Sequence, residues 1–175
     1  MGYFRTFRDA DIREADIKMN NVLMFRKDAI EMLQDVINVI RTLNGKVYNV
    51  RIKKAIENVF DGSSLRCYVS SSYKKDYVEI YSAGTYGNYN RCGFSIETYV
   101  PEGGTAPRFD AAATIENVKA KINELETNTK KCLDARAEIS GMYEELNKMF
   151  SRIAEIQSVG DYTFQEFYKL NFYIR

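Results

Sequence analysis

The sequence contains no histidine. That absence removes the commonest general base, the usual Ser–His and Cys–His triads and most zinc sites. Cysteine is scarce: Cys67, Cys92 and Cys132, widely spaced. An odd count without a CxxC pair excludes a disulfide framework and gives no support to zinc or thioredoxin-like chemistry, so three reduced, mostly buried thiols are expected. Proline occurs only at 101 and 107, both within Tyr99-Val100-Pro101-Glu102-Gly103-Gly104-Thr105-Ala106-Pro107, which reads as a loop. No stretch approaches the roughly 20 apolar residues of a membrane span. The first residues lack the apolar run of a signal peptide, so a cytoplasmic protein without a membrane partner is expected. Neither sign of charge dominates. Lys plus Arg is 25, Asp plus Glu is 24, and the net charge is +1. This balance argues against a strongly basic nucleic-acid binder and against an acidic DNA mimic, although patches matter more than totals.

Motifs for catalysis are also missing. There is no GxxxxGK[ST], GxSxG or GxGxxG, and Gly103-Gly104-Thr105 lacks the lysine of a phosphate loop. The carboxylate pair Asp9 and Asp11 falls at a helix start, where acids favour the dipole. Glu144 and Glu145 fall on a solvated helical face. Nothing converges these groups on a metal or a glycoside. The expectation is a non-enzymatic protein with no cofactor and no metal.

What is present is strong periodicity. From Asp110 to about Gln157, positions three and four apart read Ile115, Val118, Ile122, Leu125, Thr129, Cys132, Arg136, Ile139, Tyr143, Leu146, Phe150 and Ile153. That is a heptad seam, and it predicts a long helix over 110–158 with Asp110 as N-cap and Gly160 as stop. From Asp9 to Leu43 the same spacing gives Ile12, Ala15, Met19, Val22, Arg26, Ala29, Leu33, Val36, Ile40 and Leu43. Leu23, Ile30 and Ile37 widen that stripe. A helix over 9–44 follows, closed by Asn44-Gly45. The two stripes are expected to bury against each other, with Arg26 and Arg136 snorkelling from the seam edges. Segment 1–60 carries 11 basic and 8 acidic residues, net +3, and segment 109–175 carries 9 and 11, net −2. The mild opposition is compatible with pairing.

Between them the pattern changes. Tyr48, Ile52, Ala55, Ile56 and Val59 mark a short helix over 47–60. Period-two alternation then marks three strands, Leu65–Val69, Tyr77–Tyr81 and Cys92–Val100. The inner face would carry Leu65, Cys67, Val69, Val78, Ile80, Phe94, Ile96 and Val100. The outer face would carry Arg66, Tyr68, Tyr77, Glu79, Tyr81, Glu97 and Tyr99. The aromatic segment 162–175 is expected to dock on the body of the protein. The fold class is therefore α+β: two long antiparallel, coiled-coil-like helices, with a short helix and a three-stranded antiparallel sheet (65–100) inserted between them, in a single domain.

Two surfaces are candidate binding sites. Arg41, Lys46, Arg51, Lys53 and Lys54 cluster within a stretch free of acids. That cluster reads either as a patch for phosphate or an acidic protein, or as a solvated surface turn. Ser82-Ala83-Gly84-Thr85-Tyr86-Gly87-Asn88-Tyr89-Asn90-Arg91 has the composition of an adaptable binding loop, with Tyr86, Tyr89 and Arg91 as its contact residues. The outer tyrosines admit three readings: a covered face, a protein-binding face, or a face that stacks on bases. Glu79 and Glu97 would repel phosphate and weigh against the last.

The layout resembles a known class of protein. A long N-terminal helix runs into Leu43-Asn44-Gly45-Lys46-Val47-Tyr48-Asn49, then a short helix, then a small sheet rich in Tyr and Ser. Over roughly the first hundred residues this is similar to small accessory proteins carried by phages and mobile elements of gut Firmicutes, some of which are anti-CRISPR inhibitors. The resemblance implies a phage-encoded protein in the host cytoplasm that binds and blocks a macromolecule, with a CRISPR effector as the most specific partner. The alternatives from the residues themselves are self-association through the heptad helices and, third, nucleic-acid binding through the basic 41–54 patch.

Overall fold

The computed structural model describes residues 9–71, 75–82 and 90–159. The chain is α+β. Its elements are α1 (Asp9–Leu43), α2 (Val50–Glu57) followed by a 3-10 turn (Asn58–Phe60), β1 (Leu65–Ser71), β2 (Asp76–Ser82), β3 (Arg91–Ser95), β4 (Thr98–Tyr99), β5 (Arg108–Phe109) and α3 (Ala111–Val159). They fall in two compact units, Met1–Thr129 and Lys130–Arg175. The aromatic segment 162–175 and the stop at Gly160 lie outside the described residues. Among the described residues no helix is long and apolar enough to cross a membrane.

In the first unit, β1, β2 and β3 form an antiparallel sheet in that order. The alternation seen in the sequence sets its faces. Leu65, Val78, Ile80 and Phe94 point inward and are buried, and Cys67, Val69 and Cys92 are half-buried beside them. This face closes a core with Phe25, Ala29, Leu33, Val36, Ile37 and Ile40 of α1, Ile52 and Ile56 of α2, and Val118, Ile122 and Leu125 of α3. Helix side chains occupy both sheet edges. Glu57 accepts the Val69 backbone N–H at 2.9 Å, and the Asn117 amide donates to the Ser95 carbonyl at 3.1 Å. Edge groups occupied in this way are withdrawn from pairing with other strands.

Within this unit α1 and α3 run antiparallel. Asn44 Oδ1 accepts the Ala111 N–H at 3.3 Å, and Arg26 donates to the Asn128 carbonyl at 2.8 Å. Arg26 is thus a half-buried bridge between the helices. Asp110 caps α3, its Oδ1 accepting the Ala113 N–H at 3.0 Å. Gly45 follows α1 at φ 69°, a left-handed position that glycine takes at little cost.

Two expectations are corrected here. The third strand does not run from Cys92 to Val100; β3 ends at Ser95. Ile96 N–H still bonds to the Asp76 carbonyl at 2.9 Å, but Glu97 N–H turns to the Thr114 hydroxyl at 3.0 Å. The chain then joins a separate two-stranded ladder, Thr98 with Phe109 and Tyr99 with Arg108. Val100, expected inside, is exposed, and Tyr99 leaves the tyrosine face of the main sheet. The second correction concerns the helical seams. On α3 burial stops at Leu125, Thr129 to Arg136 are half-buried at the seam, and Ile139, Leu146 and Phe150 are exposed. On α1, Ala15 is exposed and Met19 and Val22 are half-buried. A heptad period shows that a face is apolar; it does not show that something covers it.

Candidate functional site: a tyrosine face on the sheet

The solvent face of the three-stranded sheet is built row by row from the pairing register. One row is Arg66, Tyr81, Arg91; the next is Tyr68, Glu79, Gly93; the third is Ser70, Tyr77, Ser95. Directly paired residues in an antiparallel ladder share a face, so these side chains meet. Tyr68 and Tyr77 are exposed and Tyr81 is half-buried.

The face is held by its own contacts. Glu79 stands at its centre, accepting the Tyr68 hydroxyl on one carboxylate oxygen and the Arg91 guanidinium at 3.3 Å on the other. Tyr68 and Tyr81 meet edge to face with centroids 6.0 Å apart, a geometry favoured by aromatic quadrupoles. Tyr77 lies across Gly93, the position in its row that has no side chain. The hydrogen bond to Glu79 raises the Tyr68 phenol above its ordinary value, so it stays a donor. Arg66 and Arg91 flank Tyr81 on either side.

Of the predicted loop residues, Arg91 belongs to this face and is exposed, paired with Glu79. Tyr86 and Tyr89 lie outside the described residues. Glu97, expected on the same face, is instead in the segment beyond β3, held by Lys75 at 2.8 Å and by the Asn117 amide at 3.1 Å.

The five predicted cations do not share one environment. Lys53 is built into the structure: it is ion-paired with Asp76, donates to Ser71 Oγ at 2.7 Å and sits 5.5 Å from the Tyr48 ring centroid. The Tyr48 hydroxyl also donates to Asp76, at 2.5 Å. Burial pushes the Asp76 carboxyl up, but the hydrogen bonds from Lys53 and Tyr48 outweigh it and hold it below its ordinary value. Lys54 is exposed and borders a shallow depression that also contains Glu57, Asp61 and Arg66. Arg41 is exposed and donates to Asn38 of its own helix at 3.3 Å. Lys46 is exposed on the link between α1 and α2, and Arg51 is exposed in the first turn of α2, which the Asn49 side chain caps by accepting the Arg51 N–H.

Sequence reasoning missed what joins that link. Phe109 N–H bonds to the Lys46 carbonyl at 2.9 Å and Tyr48 N–H to the Pro107 carbonyl at 2.8 Å. Val47 therefore pairs with Arg108, which pairs with Tyr99. The three make an exposed row beside Lys46, and Arg108 also donates to the Gly45 carbonyl at 2.7 Å. β5 has only two residues, too few to leave a period in the sequence. Gly93 was missed as well, although a glycine inside a strand pattern is itself a sign of close approach.

Among the described residues no three of Cys, Asp and Glu are grouped as metal ligands. No protein-family model, curated protein or solved structure matches the chain.

Proposed function

We propose that the chain is a non-enzymatic binding protein that engages another protein through the tyrosine face of its sheet. The observation that carries this reading is the set Tyr68, Tyr77 and Tyr81 on one solvent face, with Arg66 and Arg91 beside them. Tyrosine and arginine are the residues that most often dominate protein interfaces, giving large contact area for little lost entropy. Here the bonds of Tyr68 and Arg91 to Glu79 and the Tyr68–Tyr81 ring contact are formed before any partner arrives, which lowers the ordering cost of binding. A carboxylate at the centre of the face favours a protein over the phosphates of a nucleic acid. The complementary surface presents apolar groups to the rings and a carboxylate to Arg66.

The resemblance in layout gives the proposal its most specific form. The chain is a phage-encoded steric inhibitor acting in the host cytoplasm, and its partner is a defence nuclease complex such as a CRISPR effector.

The test is capture by the tagged full chain from a bacterial lysate containing CRISPR effectors, with and without nuclease treatment. The parent chain is compared with Tyr68→Ala combined with Arg66→Glu. A protein retained after nuclease and lost with the variant supports the reading. A partner held equally by both chains overturns it. Binding of short DNA or RNA that weakens steeply with salt moves the function to nucleic acid.

A further inference from the structure

The second unit carries a different surface. Along α3, Ile139, Met142, Leu146, Met149 and Phe150 are 45 to 59% exposed. Ile139, Tyr143, Leu146, Phe150 and Ile153 follow the alternating four-three spacing of a coiled-coil seam, with Met142 and Met149 along one flank. Glu144, Glu145 and Lys148 fall outside the seam. Contiguous exposed apolar surface of this kind marks an interaction site.

We infer that this seam takes a second copy of the same chain, the two α3 segments pairing antiparallel. Four of the five seam positions are self-complementary under that operation, and the fifth, Ile153, falls opposite the aliphatic stem of Arg136. A two-fold axis at the Glu144–Glu145 peptide sets Ile139 against Phe150 of the second copy and Tyr143 against Leu146. Each contact then occurs twice, as a two-fold interface requires. It also sets Met142 beside Met149, so the flank is filled by the softest side chains of the stripe. The area suffices. Half-exposed side chains of this size leave on the order of 100 Å² each, so five from each copy cover roughly 1,000 Å², the lower bound for a specific interface. The surface is separate from the tyrosine face, and the inference stands apart from the proposed function.

The experiment is light scattering on the full chain after size exclusion at tens of micromolar. The expected mass is twice that of one chain. Leu146→Glu, and independently Phe150→Glu, should return the monomer mass with helix content by circular dichroism unchanged. Direction is read by mild oxidation. A mixture of Ile139→Cys and Phe150→Cys chains should cross-link between the two variants, and Phe150→Cys alone should cross-link no more than the parent. A monomeric parent, dimers that survive both glutamate variants, or Phe150→Cys linking efficiently to itself each overturn the inference.

Discussion

Tyr77 covers Gly93 across the β2–β3 ladder. A Cβ placed on Gly93 would stand 2.6 Å from Tyr77 Cε1 and would also collide with the Val78 carbonyl oxygen. The ring can turn away, but the carbonyl belongs to the backbone of the neighbouring strand. Gly93→Ala is therefore expected to force β2 and β3 apart and to displace Tyr77 from the candidate site. Overpacking of this kind costs about 2–3 kcal/mol. Urea denaturation checks it: the midpoint should fall, and a neutral result would mean that the strands do not approach this closely.

Lys53, Asp76 and Tyr48 form one polar group beneath α2, with the Lys53 and Asp76 side chains only 23% and 13% exposed. Asp76→Asn leaves Lys53 without its countercharge and should cost about 1–3 kcal/mol at neutral pH. Tyr48→Phe removes one donor and should cost about 1 kcal/mol. The pH dependence follows from the direction of the shift. Asp76 is held below its ordinary 3.8, so its contribution is present above that pH and is lost as pH falls through its lower folded value. Parent and Asp76→Asn stabilities should converge below pH 3.8, as measured by denaturation across acid buffers. A constant gap would show that the carboxylate charge is not what holds the group.

Much of this architecture is legible in the sequence because it rests on local periods. The alternation of Leu65 to Val69 and Tyr77 to Tyr81 gives both faces of the sheet, and Asp110 marks the start of α3. The course of the chain after Ser95 is not legible. Alternation continues through Glu97 and Tyr99 while the pairing partner changes from β2 to β5, and a period carries no record of its partner. Charge is misleading for the same reason. Lys53 stands in an acid-free run, yet its counterion is brought in by the β1–β2 hairpin. The candidate site lies between these extremes. Its tyrosines follow from the alternation, whereas the Glu79 contacts that fix them depend on register.

Cys67 and Cys92 lie on the inner sheet face in one cross-strand row, with Ile80 between them. Two strand spacings separate them, about 9–10 Å, beyond the roughly 7 Å limit for a disulfide. Burial, mainly, pushes the Cys67 thiol up to about 12 and the Cys92 thiol up to about 11. Because the thiolate is the reactive form, iodoacetamide at pH 8 should modify both at least ~100-fold more slowly in the folded chain than in urea. Peptide mass spectrometry resolves the two sites. Both values lie above the ordinary 9.0, so the stability these thiols contribute is complete below pH 9 and is lost as pH rises toward 11 and 12. Fast labelling of either residue in the native chain would contradict its burial.

Gly141 interrupts α3 at a position where a Cβ meets nothing within 4 Å. Counted from the seam of Ile139, Tyr143 and Leu146, it falls on the opposite side of the helix. Glycine in a helix interior costs about 1 kcal/mol relative to alanine, through backbone entropy alone. Gly141→Ala fills open space, so that cost should be recovered with no steric penalty. The thermal midpoint is expected to rise, and amide exchange between Ile139 and Met149 to slow by roughly threefold to fivefold, the equivalent of somewhat under 1 kcal/mol. Because the substitution leaves the apolar stripe untouched, self-association should persist, whereas Leu146→Glu should abolish it. The pair of variants thus separates the rigidity of the helix from the chemistry of its surface. Loss of self-association in Gly141→Ala would place position 141 inside the interface and contradict the antiparallel register about Glu144 and Glu145.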